Sequence, residues 1–285
     1  VQQQWVYLAD VAQRRHEENA KGKGRNLKIG SDHQLADSIE RKIKDEKYAP
    51  GAVIGDLMQH GWPSDVRICV KTLYNYIDRG LFPGINYEEL PFKKKRTKPT
   101  THRRRKVAWN NRGGKSIEER PEEVNQRQEF GHWEIDLVIG RKGTKPVLLT
   151  LVERKTRKSL YVLVKNKSQK EVLQALRRMK RRRKGDFTEV FKSITADNGS
   201  EFLDGAGLKK ATGCEEVYYA HPFSSWERGS NENGNRILRR FLPKGTDFSQ
   251  LKAETLQRIE DWVNNYPRKI FGYKTANDMY AALAS

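Results

Sequence analysis

The chain has 285 residues, 36% of them hydrophobic, and its 56 Lys and Arg against 36 Asp and Glu leave a net charge of +20. That length allows one large domain or a few small ones, and the charge makes a polyanion, nucleic acid first, the expected partner. Two distant cysteines, Cys69 and Cys214, fit a reducing compartment and exclude a disulfide scaffold or zinc finger, and no apolar run approaches the roughly 18 residues of a membrane span.

Residues 1–30 begin at Val, with no signal-like segment. Trp5, Val6, Tyr7, Leu8 and Val11 precede the polar stretch Lys21-Gly22-Lys23-Gly24-Arg25. This reads as a helix running into a basic loop, the tail of a preceding DNA-binding domain. From Ser31 to Gly80 the pattern is helical. Leu35, Ile39 and Ile43 repeat every four residues behind a Ser31 or Asp32 cap. A second helix is expected over 51–59, bounded by Pro50 and by Gly61-Trp62-Pro63. A third, over 70–79, turns Leu73, Tyr74 and Ile77 inward and ends at Gly80.

Three short helices with a tight connection before the last suit a helix-turn-helix domain over 31–80, with Lys71, Thr72, Asn75 and Arg79 facing DNA. A small helical bundle with a solvated polar face fits the same pattern; the charge of the chain favours the DNA reader. Residues 81–125 read as a linker. Its block from Lys93 through Arg103, Arg104, Arg105 and Lys106 contains no acid and suits tracking of a phosphate backbone without sequence preference.

Residues 126–285 read as a mixed α/β domain. A strand over 132–139 sends Ile135, Leu137 and Ile139 to one face and His132, Glu134, Asp136 and Val138 to the other. Strands over 145–153 and 159–164 follow on short connections. Ser168 caps a helix ending in the basic run Arg177 to Lys184. Then come a strand over 190–195, a short helix after Glu201 and a strand over 216–219. Three antiparallel strands, a helix, a strand, a helix and a strand are the order of a ribonuclease-H-like fold with a mixed five-stranded sheet.

Asp136 lies within the first of these strands and Asp197 at the tip of the fourth, so the two carboxylates come together on neighbouring strands. Asp197-Asn198-Gly199 is also an ordinary turn sequence. A third carboxylate is expected from the segment before the helical run 236–241, which offers Glu227 and Glu232. Ser230 as N-cap would place Glu232 in the first helical turn and Glu227 in the loop before it. Glu134 shares the Asp136 face as a supporting carboxylate or an ion-pair partner. His132 and His221 read as structural or DNA-contacting, and Glu201 follows Asp197 too closely to be the third ligand. Trp133 and Trp226 read as packing residues, with Trp226 also able to stack on a base.

Arg120-Pro121, the run Gly131 to Asp136, the run Asp197 to Phe202, the run His221 to Asn233, the run Pro243 to Phe248 and Pro267-Arg268-Lys269 together resemble the DDE transposases and retroviral-type integrases. More narrowly they are similar to the insertion-sequence transposase family numbered thirty, strongly over 115–280 and loosely before it. The resemblance implies Asp136, Asp197 and Glu232 as a catalytic, metal-binding triad. It also implies a basic residue seven positions after the Glu; Arg239 stands there for Glu232, whereas Gly234 would stand there for Glu227.

With Arg236 and Arg240, Arg239 is expected to hold strand phosphates. The implied cofactor is a pair of Mg²⁺ ions, with Mn²⁺ able to substitute, acting as a clamp across an in-line displacement. The implied activity is DNA cleavage and strand transfer at terminal inverted repeats. The implied partners are those repeats, target DNA and at least one further copy of the chain, in the bacterial cytoplasm on the nucleoid. A non-catalytic repressor derived from a transposase and a structure-selective nuclease on the same fold are the alternatives.

Overall fold

The computed structural model describes residues 7–21, 26–85, 90, 113–182, 187–222 and 224–284. Arg103, Arg104, Arg105 and the rest of the basic block at 93–106 lie outside them.

The N-terminal part is helical. Helix α1 (Ala9–Lys21) is followed by α2 (His33–Lys44), α3 (Pro50–His60) and α4 (Val70–Asp78). Asp32 caps α2, its Oδ1 accepting the Leu35 N–H at 3.0 Å, and Leu35, Ile39 and Ile43 are buried at the expected spacing. Pro50 starts α3, where its lost N–H costs nothing. These helices share one apolar core built on Leu35, Ile39, Val53, Leu57, Leu73 and Ile77.

One expectation is extended here and another changes. On α4 Tyr76 joins the buried face as well, its hydroxyl accepting the Lys28 N–H at 2.8 Å, while Tyr74 packs half-buried against the same core. The α3–α4 connection is not tight: it runs over 61–69, because Ile68 inserts into the core and Arg67 lies over the Trp62 ring at 5.2 Å.

The remainder is built on a six-stranded sheet. Its strands are β1 (Lys115–Ser116), β2 (His132–Ile139), β3 (Val147–Glu153), β4 (Ser159–Val164), β5 (Ser193–Ala196) and β6 (Glu216–Tyr219). The order is β1-β6-β5-β2-β3-β4, with β2, β3 and β4 antiparallel and β2, β5, β6 and β1 parallel. This is the ribonuclease-H-like topology with one strand more than expected. The two residues of β1 are too short to show periodicity and form only by pairing with β6.

Residue 190 is not part of a strand either. It closes the helical turn α7 (Phe187–Val190), its carbonyl accepting the Trp133 Nε1–H at 2.7 Å, and β5 begins only where Ser193 pairs with His132.

One face of the sheet is covered by α6 (Gln169–Arg182) and α8 (Gly205–Thr212), which bury Val172, Leu176 and Leu208 against Trp133, Ile135 and Leu149. The other face carries α9 (Gly229–Leu238) and α10 (Ala253–Asn264), with Ile237, Leu238 and Val263 against Val138, Leu148 and Tyr161. The short α5 (Glu122–Asn125) precedes β2, and α11 (Ala276–Ala284) closes the described chain.

The N-terminal helices dock on this second layer. Tyr48 meets Trp262 and Tyr266 edge-on, with ring centroids 5.7 and 5.4 Å apart. Trp262 Nε1–H donates to the Glu46 carbonyl at 2.9 Å, and Gln59 donates to the Gly272 carbonyl at 2.9 Å.

Candidate active site

Strand register brings two carboxylates together. β2 and β5 run parallel with Glu134 opposite Thr195, so Asp136 and Asp197 stand at matching positions two residues further on. Ile135 points into the α6–α8 core, and the alternation of the strand turns Asp136 to the α9 side with Val138.

All four carboxylate oxygens are engaged. Asp136 Oδ1 lies 3.3 Å from Arg228 Nη1, and its Oδ2 accepts from Asn235 Nδ2 at 2.8 Å. Asp197 Oδ2 lies 3.2 Å from Arg228 Nη2, and its Oδ1 accepts the Gly199 N–H at 3.0 Å. One guanidinium therefore spans both aspartates. Burial pushes the Asp136 carboxyl above its ordinary value, with Arg228 pulling it down and the neighbouring Asp197 pushing it up.

Asp197-Asn198-Gly199 forms the turn that its sequence suggests. The Gly199 bond makes Asp197 fold back on its own loop, and Asn198 Nδ2–H donates to the Ala220 carbonyl at 2.6 Å. The turn thus fixes where the carboxylate points.

The third carboxylate is less simply placed. α9 starts at Gly229, directly after the 3-10 turn Ser225–Arg228, so Arg228 holds the cap position and Ser230 lies inside the helix. The expected Ser230 cap is therefore not formed; its buried Oγ accepts from Arg157 instead. The helix ends at Leu238 rather than reaching Phe241, whose N–H folds back onto the Leu238 carbonyl.

Glu232 is in the first turn of α9 as expected, exposed, and one turn before the Asn235 that touches Asp136. Glu227 belongs to the 3-10 turn and is committed to His221: Oε2 accepts the His221 N–H at 2.8 Å and Oε1 pairs with Nδ1 at 2.8 Å. That bond holds the His221 imidazole above its ordinary protonation range. Among the described residues no three His, Cys, Asp or Glu side chains converge in metal-holding geometry. The structure brings Asp136 and Asp197 together and leaves Glu232 on the adjoining helical turn.

The supporting residues form a buried network. Glu134 is fully buried; its Oε1 pairs with Arg154 Nη1 at 2.6 Å and its Oε2 accepts the Asn231 N–H at 2.9 Å. It is thus an ion-pair partner that ties α9 to β2. His132 is structural, bonded to Ser193 Oγ at 2.7 Å and to Glu129 at 3.0 Å, and Glu201 is buried against Lys167. Trp133 stacks on Phe191 in the core at 4.6 Å, whereas Trp226 is 72% exposed beside the site.

The basic residues divide. Lys71, Asn75 and Arg79 are exposed on α4, while Thr72 is half-buried with its hydroxyl 3.2 Å from Cys69 Sγ. Arg236 is exposed on α9. Arg239 and Arg240 make contacts within the protein. Arg239 donates to the carbonyls of Ile139, Leu242 and Pro243. Arg240 donates to the Lys47 carbonyl at 3.1 Å and lies over the Tyr266 ring at 4.7 Å, locked in the contact with the N-terminal helices. On the opposite face Arg177, Arg178, Lys180 and Arg181 of α6 and Lys210 of α8 line a cavity of about 630 Å³.

Sequence reasoning missed Arg228 and Asn235. Their signal is positional: Arg228 precedes the helix that carries Glu232, and Asn235 lies three residues beyond Glu232, on the same face.

A parallel β2–β5 pair presenting two aspartates beneath a crossing helix is the core of the integrase-type polynucleotidyl enzymes, and residues 126–217 match the family described as Integrase core domain. The chain is 43% identical over 211 residues to the probable transposase for insertion-like sequence element IS1161 of Streptococcus salivarius, covering 74% of this chain and 58% of that protein. It is 34% identical to transposase InsI for insertion sequence element IS30A of Escherichia coli (strain K12), covering 73% of this chain and 53% of that one. It is 32% identical to the transposase for insertion sequence element IS1086 of Cupriavidus metallidurans, covering 82% of this chain and 69% of that one.

The chain belongs to the IS30 family of insertion-sequence transposases. It spans 58% and 53% of the first two of these relatives.

Proposed function

We propose that the chain cuts and rejoins DNA at the terminal inverted repeats of an insertion sequence, with Asp136, Asp197 and Glu232 as the catalytic carboxylates. The observation that carries this reading is the pair Asp136–Asp197, with facing oxygens 3.3 and 3.2 Å from one shared cation, Arg228. A site that already holds a cation between two hard oxygen donors suits a divalent ion.

Asp136 and Asp197 would hold Mg²⁺, or Mn²⁺ in its place, with Glu232 joining from α9. Such ions, when bound, activate the attacking oxygen and stabilise the leaving oxygen of a phosphodiester. The residues of the chain supply the positioning. Asn235 orients Asp136, the Gly199 N–H orients Asp197, and Glu134 holds the first turn of α9 on β2.

Arg236, at the end of α9, meets the strand phosphates, while the exposed face of α4 reads duplex through Lys71, Thr72, Asn75 and Arg79 in a helix-turn-helix-like domain. Arg103, Arg104 and Arg105 track the backbone between the two. The reaction takes place on nucleoid DNA in the bacterial cytoplasm, between at least two copies of the chain. Among the described residues no helix is long and apolar enough to cross a membrane.

The test is a joining assay. The full chain is incubated with supercoiled plasmid and a labelled terminal-repeat duplex ending in a 3′-hydroxyl, with Mg²⁺, Mn²⁺ or a chelator. Ion-dependent joined product, absent in Asp136→Asn and Asp197→Asn, supports the reading. DNA binding with neither nicking nor joining under any of these conditions contradicts it.

A further inference from the structure

We propose that Arg228 is the resident cation of the Asp136–Asp197 pair: it sits between the two carboxylates until a divalent ion displaces it, and then turns to the phosphate backbone of bound DNA. The inference rests on the reading of that pair as the ion-holding site.

The guanidinium competes for the atoms an ion would use. Asp136 Oδ2 and Asp197 Oδ1 are held by Asn235 and by the Gly199 N–H. The two remaining oxygens are those that face Arg228, at 3.3 and 3.2 Å. An ion shared between the aspartates needs the same two oxygens, so ion and guanidinium exclude each other.

The contacts of the arginine are long. Charge-assisted N–H···O contacts in a settled pair are about 2.7–2.9 Å. Arg154, buried nearby, shows what a settled buried arginine looks like here: 2.6 Å to Glu134, with further bonds to the carbonyls of Val124 and Asn125. Arg228 has instead two long carboxylate contacts, one bond to the Ile135 carbonyl at 3.3 Å, and a buried Nε without a partner. Its backbone lies between the 3-10 turn Ser225–Arg228 and the first residue of α9, so the side chain can leave without a helix moving. The aspartates are 26% and 38% exposed, so the cleft between them is open to solvent.

The exchange has two consequences. Without an ion, Arg228 offsets the repulsion between two adjacent carboxylates and lowers their affinity for cations. Once displaced, its planar fork is free for a phosphate, the anion it matches best. DNA therefore rewards the displacement, and by linkage DNA and the ion each tighten the binding of the other. A protein built this way loads its ions on DNA rather than in free solution.

The test measures Mn²⁺ binding to the full chain by electron paramagnetic resonance, with and without a terminal-repeat duplex, alongside thermal melts. Wild type is expected to bind Mn²⁺ more tightly with duplex present. Arg228→Gln is expected to bind it about tenfold or more tightly without DNA, to lose most of the response to DNA, and to melt lower without ion but gain more from Mn²⁺. A folded Arg228→Gln with unchanged or weaker Mn²⁺ affinity overturns the proposal. Should Arg228→Gln not fold, Arg228→Lys decides, because a lysine keeps the charge but lacks the planar fork that gives each carboxylate its own nitrogen. Its affinity is expected above wild type, and an affinity at or below wild type overturns the proposal. Asp136→Asn in the Arg228→Gln background must abolish the site. Mn²⁺ binding that survives it places the ion elsewhere and overturns the reading of the pair itself, whereas a site that needs Asp136 but ignores Arg228 overturns only the role of the arginine.

Discussion

Glu134 accepts the backbone N–H of Asn231 at 2.9 Å, and this one bond joins the strand of Asp136 to the helix of Glu232 next to both residues. The other oxygen of Glu134 is paired with Arg154, whose side chain is 3% exposed. Removing one partner of such a buried pair strands the other. Glu134→Gln keeps an acceptor for Asn231 but leaves Arg154 uncompensated, and is expected to lose about 3–5 kcal/mol of stability in urea unfolding. A loss below about 1 kcal/mol would show that Arg154 finds another partner.

Arg240 and Arg236 lie on one stretch of chain in different surroundings, Arg240 against the N-terminal helices and Arg236 exposed on α9. Arg240→Met is expected to weaken the docking of the N-terminal helices by about 1 kcal/mol, because it removes the bond to the Lys47 carbonyl. Limited proteolysis would read this as faster cleavage between the helices and the sheet domain, with duplex affinity at saturating protein little changed. Arg236→Ala is expected to do the reverse. Equal loss of duplex affinity in both variants would restore Arg240 as a phosphate ligand.

Glu260 gives a pH dependence. Burial pushes its carboxyl from 4.5 up to about 7, although the Tyr161 N–H and Lys158 favour its charged form. The folded value lies above the unfolded one, so the stability from the neutral carboxyl is complete below 4.5 and is lost as pH rises through 7. Glu260→Gln keeps the acceptor for Tyr161 without the charge. It is expected to exceed wild type by about 2 kcal/mol near pH 8 and to match it near pH 4. A constant difference across that range would mean that Glu260 does not titrate in it.

The cations of α6 and α8 are tested by salt. Each phosphate contact contributes about 0.9 to the slope of log affinity against log salt concentration. If duplex lies along Arg177, Arg181 and Lys210, the triple Gln variant should lower that slope by about 2–3 and weaken binding alike for all sequences. An unchanged slope would place the DNA entirely on the other face of the sheet.

The catalytic fold was legible because its signals are local and repeated. Alternation marked β2, short connections made β2, β3 and β4 antiparallel, and a carboxylate at the end of β5 needed only a parallel neighbour to meet Asp136. What stayed hidden depends on distant partners. The two residues of β1 exist by pairing with β6, and Val190 left its expected strand because its carbonyl serves Trp133. Ser230 has the right residue type for a cap, but the preceding 3-10 turn starts the helix earlier. Arg239 and Arg240 look like phosphate ligands by charge and spacing; only the fold shows which carbonyls take their donors. Arg228 had only its place before the helix of Glu232 to mark it, since nothing local says that two aspartates far along the chain will face it.

On the proposed reading Glu232, and not Glu227, completes the site of Asp136 and Asp197. The most direct measurement compares ion-dependent joining of a labelled 3′-hydroxyl duplex by Glu232→Gln and Glu227→Gln. Glu232→Gln is expected to abolish joining while leaving duplex affinity and melting temperature intact. Glu227→Gln, which loosens the contact with His221, is expected to lower stability but retain joining. Joining that survives in Glu232→Gln and disappears in a folded Glu227→Gln would contradict it.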